Sequence, residues 1–157
     1  MSDSPDTLNC LIVPLAEQHM LLPQHVVAEV LTQQFSRQVP GAPPWLTGVV
    51  EWRNEQVPVV SMETLMGTPV EHGNRLLRVL VMHGLEQFPG LAYYAVQVRG
   101  IPHPLKVSEH DVEPLDDGAQ AEADMQFGYR VRASGVTCII PRMERIEAQL
   151  QENLQRL

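Results

Sequence analysis

The side chains that could do chemistry in this chain do not fall into a catalytic pattern. No nucleophile elbow, phosphate-binding loop or dinucleotide fingerprint occurs in its 157 residues. The six histidines are scattered, and no two have the spacing with which one helix face binds zinc. His103 and His110, with Glu109 and Asp111 beside the second, come closest to a metal site. A solvated loop explains this group more simply, and a small β-barrel metal-dependent hydrolase is the alternative.

The two cysteines, Cys10 and Cys138, lie far apart, each inside an apolar run. That setting predicts buried strand thiols in a reducing compartment. A catalytic thiol would need a histidine partner and surroundings that stabilise the thiolate, which an apolar run does not supply. We therefore expect a protein that is not an enzyme and that carries no metal and no cofactor.

The charge balance argues against nucleic acid as a partner. Eleven basic and nineteen acidic side chains give a formal net charge of −8, and no Lys/Arg run reverses this field. No apolar run approaches the roughly 18 residues that a membrane-spanning helix needs. The N-terminus lacks the basic-then-apolar pattern of a signal peptide. These features predict a cytoplasmic protein without direct membrane insertion.

The elements that would position the side chains are predicted to be short strands. Thirteen prolines interrupt a chain that is 44% apolar, which favours short strands and turns around a core. Residues 49–52 and 56–60 flank a polar turn that begins at Arg53, and Asn54 suits a positive φ there. About ten strands with a few short helices predict a mostly β fold of two small barrels. Residues 1–7 are expected to be a flexible N-terminal tail.

From residue 141 onward the spacing of apolar residues becomes helical. Apolar side chains recur every three or four positions, with Glu, Gln and Arg between them. This predicts a C-terminal amphipathic helix over residues 141–157. Docking on its own domain is the simplest use of such a helix, and a dimerising structural scaffold is the alternative.

Three spaced motifs in the first half of the chain carry the most specific signal. Residues 27–30 read V-A-E-V, residues 42–49 read A-P-P-W-L-T-G-V, and residues 52–60 read W-R-N-E-Q-V-P-V-V. Their order and spacing resemble the CheW family of chemotaxis coupling proteins. The pattern of that family runs V-x-E-I, then T-P-x-F/Y-I/V-x-G-V/I, then N-L-R-G-x-x-V/I-P-V/I-V/I-D-L. The resemblance covers roughly a third of the chain.

This resemblance implies a fold and a role. The fold is two intertwined five-stranded SH3-like β-barrels with short helices, and residues 8–157 would form a single CheW-like domain. The role is that of a non-catalytic chemotaxis adaptor. Such an adaptor couples the cytoplasmic tips of chemoreceptors, the methyl-accepting proteins, to the regulatory domain of a CheA-type histidine kinase.

The resemblance also assigns candidate partner-binding residues. Val27 and Glu29 match the V-x-E motif, a segment associated with partner docking. Arg53 matches the arginine of N-L-R-G, a position linked to receptor and kinase coupling. A guanidinium on a hairpin turn suits that role, because its five donors can grip a carboxylate or a rim of carbonyl groups. Val57 and Val59, with Val27, are expected to receive an apolar side chain of the partner, and plain core packing is the alternative.

Several positions depart from the family pattern. Glu51 replaces the asparagine of the third motif, Trp52 its leucine, Asn54 its glycine and Ser61 its aspartate. Arg99 stands where a later V-D-x-V motif has aspartate. These changes remove or reverse charge near the expected docking surfaces, so we expect a divergent member with partners of its own. The accessory CheW-like protein of a type IV pilus, or twitching, chemosensory system fits that description.

Overall fold

The computed structural model describes residues 7–68, 76–115 and 126–156. The predicted tail lies outside the described residues except for Thr7, and so does Leu157 at the end of the predicted helix. The described part of the chain contains eleven strands, two α-helices and three short 3-10 turns.

The strands are three to nine residues long, as the prolines and turns of the sequence predict. The α-helices are α1, Met62–Leu65, and α2, Met143–Glu152. The 3-10 turns occupy Gln24–Val26, Glu109–Asp111 and Leu154–Arg156. The strands are β1 Leu8–Pro14, β2 His19–Pro23, β3 Val27–Phe35, β4 Leu46–Trp52, β5 Glu55–Val60, β6 Leu76–His83, β7 Tyr93–Val98, β8 His103–Val107, β9 Val112–Pro114, β10 Gly128–Ala133 and β11 Val136–Pro141.

The strands form two sheets, each curled into a half-barrel. The first sheet has the order β8-β1-β2-β11-β10-β9, and the second has the order β3-β6-β7-β5-β4. The prediction of a mostly β, two-barrel fold is confirmed, although the first sheet has six strands where five were expected. The additional strand is β9, which pairs with β10 through Glu113 opposite Arg132. Its acidic and proline residues predict a loop, because such residues are depleted in strands.

The chain crosses between the two sheets twice. β1 and β2 begin the first sheet, β3 to β7 build the whole second sheet, and β8 to β11 return to the first. Two short parallel pairs result, with His19 of β2 opposite Cys138 of β11 and Val59 of β5 opposite Ala95 of β7. The two half-barrels are therefore intertwined, as the resemblance implies.

Three apolar clusters hold this arrangement together. One fills the second sheet around Val50 and Val79, and another fills the first sheet around Leu21 and Val131. The largest, which includes Tyr94, lies between the sheets and takes side chains from both and from α2. Burying a large apolar side chain contributes roughly 1.5–3 kcal/mol. The cluster between the sheets therefore fixes each one against the other.

A close backbone approach joins the two edges of the second sheet. Arg37, just after β3, and Val49 of β4 exchange two backbone hydrogen bonds of 2.8 Å. Gly48 lies beside this bridge at a shift in strand register. A Cβ at this position would lie 2.8 Å from the carbonyl oxygen of Arg37 and would overlap the Ser36 hydroxyl. The glycine of the second motif is therefore required by the closure of the sheet.

Replacing Gly48 with alanine is expected to lower the free energy of unfolding by about 1–3 kcal/mol, because the added methyl group has no room. Urea denaturation measures the change. Glu51→Ala, an exposed substitution on the same strand, is the control and should have little effect. Equal midpoints for the two variants would contradict this account of the glycine.

The C-terminal helix docks on its own sheets. Ile146 and Leu150 are each 1% exposed and belong to the cluster between the sheets. The helix is shorter than the predicted 141–157, because Pro141 still belongs to β11 and α2 ends at Glu152. Neither of the two α-helices in the described ranges is long and apolar enough to cross a bilayer.

A buried carboxylate ties α2 to the loop before β7. Glu147 is fully buried, and its Oε1 accepts a hydrogen bond of 2.8 Å from the backbone N–H of Glu86. Tyr94 lies nearby, where burial and the negative charge of Glu147 raise the pKa of its hydroxyl well above the usual range. Burying a carboxylate is costly unless donors satisfy it, so this contact matters for how the helix docks.

Replacing Glu147 with alanine is expected to cost about 1–3 kcal/mol, because the Glu86 N–H loses its acceptor and a fully buried side chain is truncated. Glu147→Gln retains an acceptor and should cost less. Glu152→Ala, at an exposed position on the same helix, should change stability by less than about 0.5 kcal/mol. Thermal or urea unfolding measures all three, and equal losses for the alanine and glutamine variants at position 147 would refute the role of the acceptor.

Candidate functional site

The site begins at a two-residue turn between β4 and β5. Trp52 pairs with Glu55, so the turn consists of Arg53 and Asn54 alone. Their φ angles are 51° and 64°, both in the left-handed region that a type I′ hairpin turn requires. The positive φ expected at Asn54 is confirmed, while Glu55, expected in the turn, begins β5. Asparagine tolerates this conformation, but arginine rarely adopts it, and such backbone strain tends to persist at functional positions.

Arg53 and Glu29 form an ion pair that unites two of the sequence motifs. The Nη2 atom of Arg53 donates to Oε1 of Glu29 across 3.2 Å. The side chains are 69% and 39% exposed, so solvent screens the pair and its net contribution to stability is about 0–1 kcal/mol. Glu29 thus positions the arginine, and breaking their ion pair costs little free energy.

Aromatic side chains support the arginine from below. The guanidinium carbon of Arg53 lies 4.6 Å from the centroid of the Trp52 ring. Trp52 in turn meets Tyr93 edge to face at 4.8 Å, and Tyr93 contacts His83 at 5.4 Å. A cation over an aromatic ring gains about 0.5–1 kcal/mol at an exposed site. This stack restricts where the guanidinium points.

Val27 and Glu29 owe their directions to a bulge in β3. The register against β6 shifts between Val27, opposite Met82, and Glu29, opposite Val81. A bulge of this kind changes which way neighbouring side chains point. Val27 is half-buried at the margin of the cluster between the sheets, and Glu29 reaches the hairpin turn.

Val57 and Val59 occupy the interior of the second sheet. They are 1% and 0% exposed and pack with Val50 and Val81. In this position they hold the hairpin that presents Arg53. Their expected contact with an apolar side chain of a partner stays a prediction, as do the partner contacts of the other assigned residues.

An open cavity of about 620 Å³ adjoins the hairpin. It lies where β5 and β7 splay apart, because their parallel pairing begins only at Val59. Val57, Tyr93 and Phe88 are among its lining residues. The sequence does not predict that Phe88 lines this cavity, because the Pro-Gly pair at residues 89–90 indicates only that a loop is present.

The other chemical groups considered in the sequence do not converge. His103 in β8 and His110 in the second 3-10 turn are both exposed. Within the ranges that the structure describes, no three metal-ligating side chains form a group that could hold an ion. Cys10 and Cys138 are buried in the first sheet, and burial raises the pKa of each thiol. Both thiols are therefore poor nucleophiles at neutral pH.

A family model described as a CheW-like domain matches residues 9–149. The chain belongs to the CheW-like family. Among curated proteins, Protein PilI of Pseudomonas aeruginosa is 30% identical to this CheW-like chain over 99 residues. The match covers 62% of this chain and 54% of PilI, so the chain spans about half the length of that relative.

A solved structure shows the same CheW-like fold. The scaffolding protein TtCheW from Thermoanaerobacter tengcongensis matches with a TM-score of 0.67 at 19% sequence identity. The match covers 86% of this chain and 88% of that chain. Low identity over a shared fold agrees with the departures from the family motifs.

Three of those departures keep the CheW-like hairpin and its surroundings intact. Asn54, in place of glycine, adopts the positive φ that the turn needs. Trp52, in place of leucine, is buried and lies beneath Arg53. Ser61, in place of aspartate, caps α1 by accepting a hydrogen bond of 3.2 Å from the Thr64 N–H, which either residue type can do. These three departures are therefore compatible with the scaffold.

Replacing Arg53 with glycine is expected to change the free energy of unfolding by less than about 1 kcal/mol. The loss of an exposed ion pair is offset by relief of the left-handed backbone strain at this position. Trp52→Ala should cost about 3–5 kcal/mol, because it empties a buried position. Chemical denaturation of both variants tests this contrast, and a large loss on Arg53→Gly would assign Arg53 a structural role.

Proposed function

We propose that this CheW-like chain is a non-catalytic adaptor that couples chemoreceptor cytoplasmic tips to the regulatory domain of a CheA-type histidine kinase. Family membership over residues 9–149 supports the adaptor role. The description of TtCheW as a scaffolding protein supports it as well. The observation that carries the proposal is the geometry of Arg53, an exposed arginine on a strained turn.

Arg53 has the properties of a residue that exchanges partners. Its ion pair with Glu29 is solvent-screened and worth about 0–1 kcal/mol, so a carboxylate on a docking protein displaces Glu29 at little cost. Once docking excludes water, the same charge-assisted hydrogen bonds become stronger. Glu29 keeps the guanidinium in position until then. The turn, the aromatic stack and the carboxylate together prepare Arg53 for binding.

We assign the adaptor to a type IV pilus, or twitching, chemosensory pathway. The 30% identity to PilI supports this assignment. Arg99 and Glu51 alter charge relative to the family pattern, which supports a partner set of its own. Because the receptor tips and the kinase that it would join are cytoplasmic, the adaptor works in the cytoplasm.

A pull-down with two immobilised partners tests the adaptor role. The probes are a receptor signalling-tip fragment and the kinase regulatory domain from the same cells, used separately and together. We expect the folded chain to bind, and Arg53→Glu to weaken binding to at least one partner by about tenfold or more. Arg145→Glu, a matched reversal at an exposed arginine of α2, should bind like wild type. A folded chain that binds neither probe overturns the proposal.

A charge swap distinguishes two roles for Arg53, direct contact with the partner and maintenance of the ion pair with Glu29. Combining Glu29→Arg with Arg53→Glu restores an ion pair of reversed polarity. If Arg53 itself grips a carboxylate of the partner, the double variant remains defective. Recovery of binding in the swap would instead assign Arg53 to maintaining the ion pair.

A further inference from the structure

An exposed apolar pair lies at the end of the second sheet away from Arg53. Phe35, the last residue of β3, is opposite Leu76, the first residue of β6. Their exposed fractions are 68% and 52%, and Phe35 is the most exposed large apolar side chain among the described residues. Two such side chains in direct register form an apolar surface, whereas single exposed apolar residues are common.

Beside this pair lies a cavity of about 250 Å³ with two arginines in its lining. Arg78 of β6 and Arg99, just after β7, lie with Gln97 around it, and no carboxylate lines it within the described ranges. The Nε atom of Arg78 and the Oε1 atom of Gln97 are buried and have no hydrogen-bond partner in the described part of the chain. Buried polar groups in native proteins are nearly always paired, so these two atoms leave the lining with unused hydrogen-bonding capacity.

A second bulge in β3 shapes the opening of this cavity. The register against β6 shifts between Leu31 and Gln34, and Gln33 has a φ of 54°. Gln33 also lines the cavity. Bulges of this kind are common at sheet edges and beside functional sites, where they change the direction of side chains.

Among the described residues, Glu63 is a carboxylate that interacts with Arg99, and it is already engaged elsewhere. Burial raises the pKa of Glu63, and the charge of Arg99 partly offsets that effect, so the two groups are close. Glu63 is buried and already accepts a hydrogen bond of 3.1 Å from the Ala16 N–H. Arg99 is exposed, so its donors face solvent. In a chain with a net charge of −8, the described lining of this cavity thus carries two arginines and no carboxylate.

We propose that Phe35, Leu76, Arg78 and Arg99, the far-end patch, dock a segment of another protein that carries a carboxylate beside an apolar side chain. The carboxylate takes donors from the arginines, and the apolar side chain covers Phe35 and Leu76. The arginines define the charge that the partner must carry, and the exposed apolar pair defines its apolar side chain. The proposal goes beyond the proposed function because it stands on other residues. Arg78 and His83 are five residues apart on β6, which separates the patch from the aromatic stack by about 17 Å.

Site-specific photo-crosslinking in cells tests the far-end patch. A photoreactive phenylalanine analogue is placed at Phe35 of the full chain. The control carries it at Tyr129, an exposed aromatic on the first sheet that also has an arginine, Arg142, over its ring. We expect an adduct at position 35 whose partner peptide has Asp or Glu next to an apolar residue. Its yield should fall about tenfold when Arg78→Gln and Arg99→Gln are combined.

Three outcomes overturn the proposal. These are an adduct yield at position 35 no greater than at Tyr129, capture of a second copy of this chain, and an adduct that is indifferent to the arginines. Unfolding midpoints show whether the variants are folded. If the double variant is destabilised, the single variant Arg99→Gln, at an exposed position, takes its place in the test. An acidic, arginine-dependent partner other than a receptor or kinase would support the patch and leave the proposed function, which rests on Arg53, to its own pull-down test. Loss of partner binding in Arg53 variants, with no adduct at position 35, would support the proposed function and overturn the patch.

Discussion

The apolar cluster between the two sheets is the interaction on which the other features of this chain depend. It joins Met20 of the first sheet, Leu80 of the second and Ile146 of the terminal helix into one dry interior. Both sheets contribute side chains to this cluster in addition to the clusters of their own, so each sheet stabilises the other. Leu46 and Val60, at the base of the hairpin that presents Arg53, and Leu91, in the loop before β7, pack into this cluster. A firm scaffold of this kind lets a short turn hold a strained conformation.

The second sheet carries arginines at both ends, in two different electrostatic states. At one end Arg53 has a carboxylate partner and an aromatic ring beneath it. At the other, the Nε of Arg78 is buried without a hydrogen-bond partner in the described ranges, and Arg99 is exposed. The first arrangement favours exchange of one carboxylate for another, and the second favours capture of a new one. An adaptor gains from such a separation, because two proteins can bind without competing for the same surface.

The sequence predicted features whose signals are local. The β4–β5 hairpin follows from alternation and a turn residue, and the amphipathic period of α2 follows from spacing. Features that depend on register could not be predicted. The pairing of Arg53 with Glu29 requires knowing how β3 lies against the hairpin, and the burial of Val57 is hidden in a continuous apolar run. The far-end patch combines residues of β3, of β6 and of the segment after β7, and no single segment of the sequence has a signal for it.

The double crossing of the chain between the sheets has a consequence for its biosynthesis. His19 of β2 pairs with Cys138 of β11, more than one hundred residues later. At a translation rate of about 5–20 residues per second, the first hairpin waits on the order of ten seconds for its neighbour. The second sheet, complete by Val98, can form earlier and leave the apolar side of β2 uncovered until β11 arrives. The nascent chain therefore passes through a state that chaperones are suited to shield.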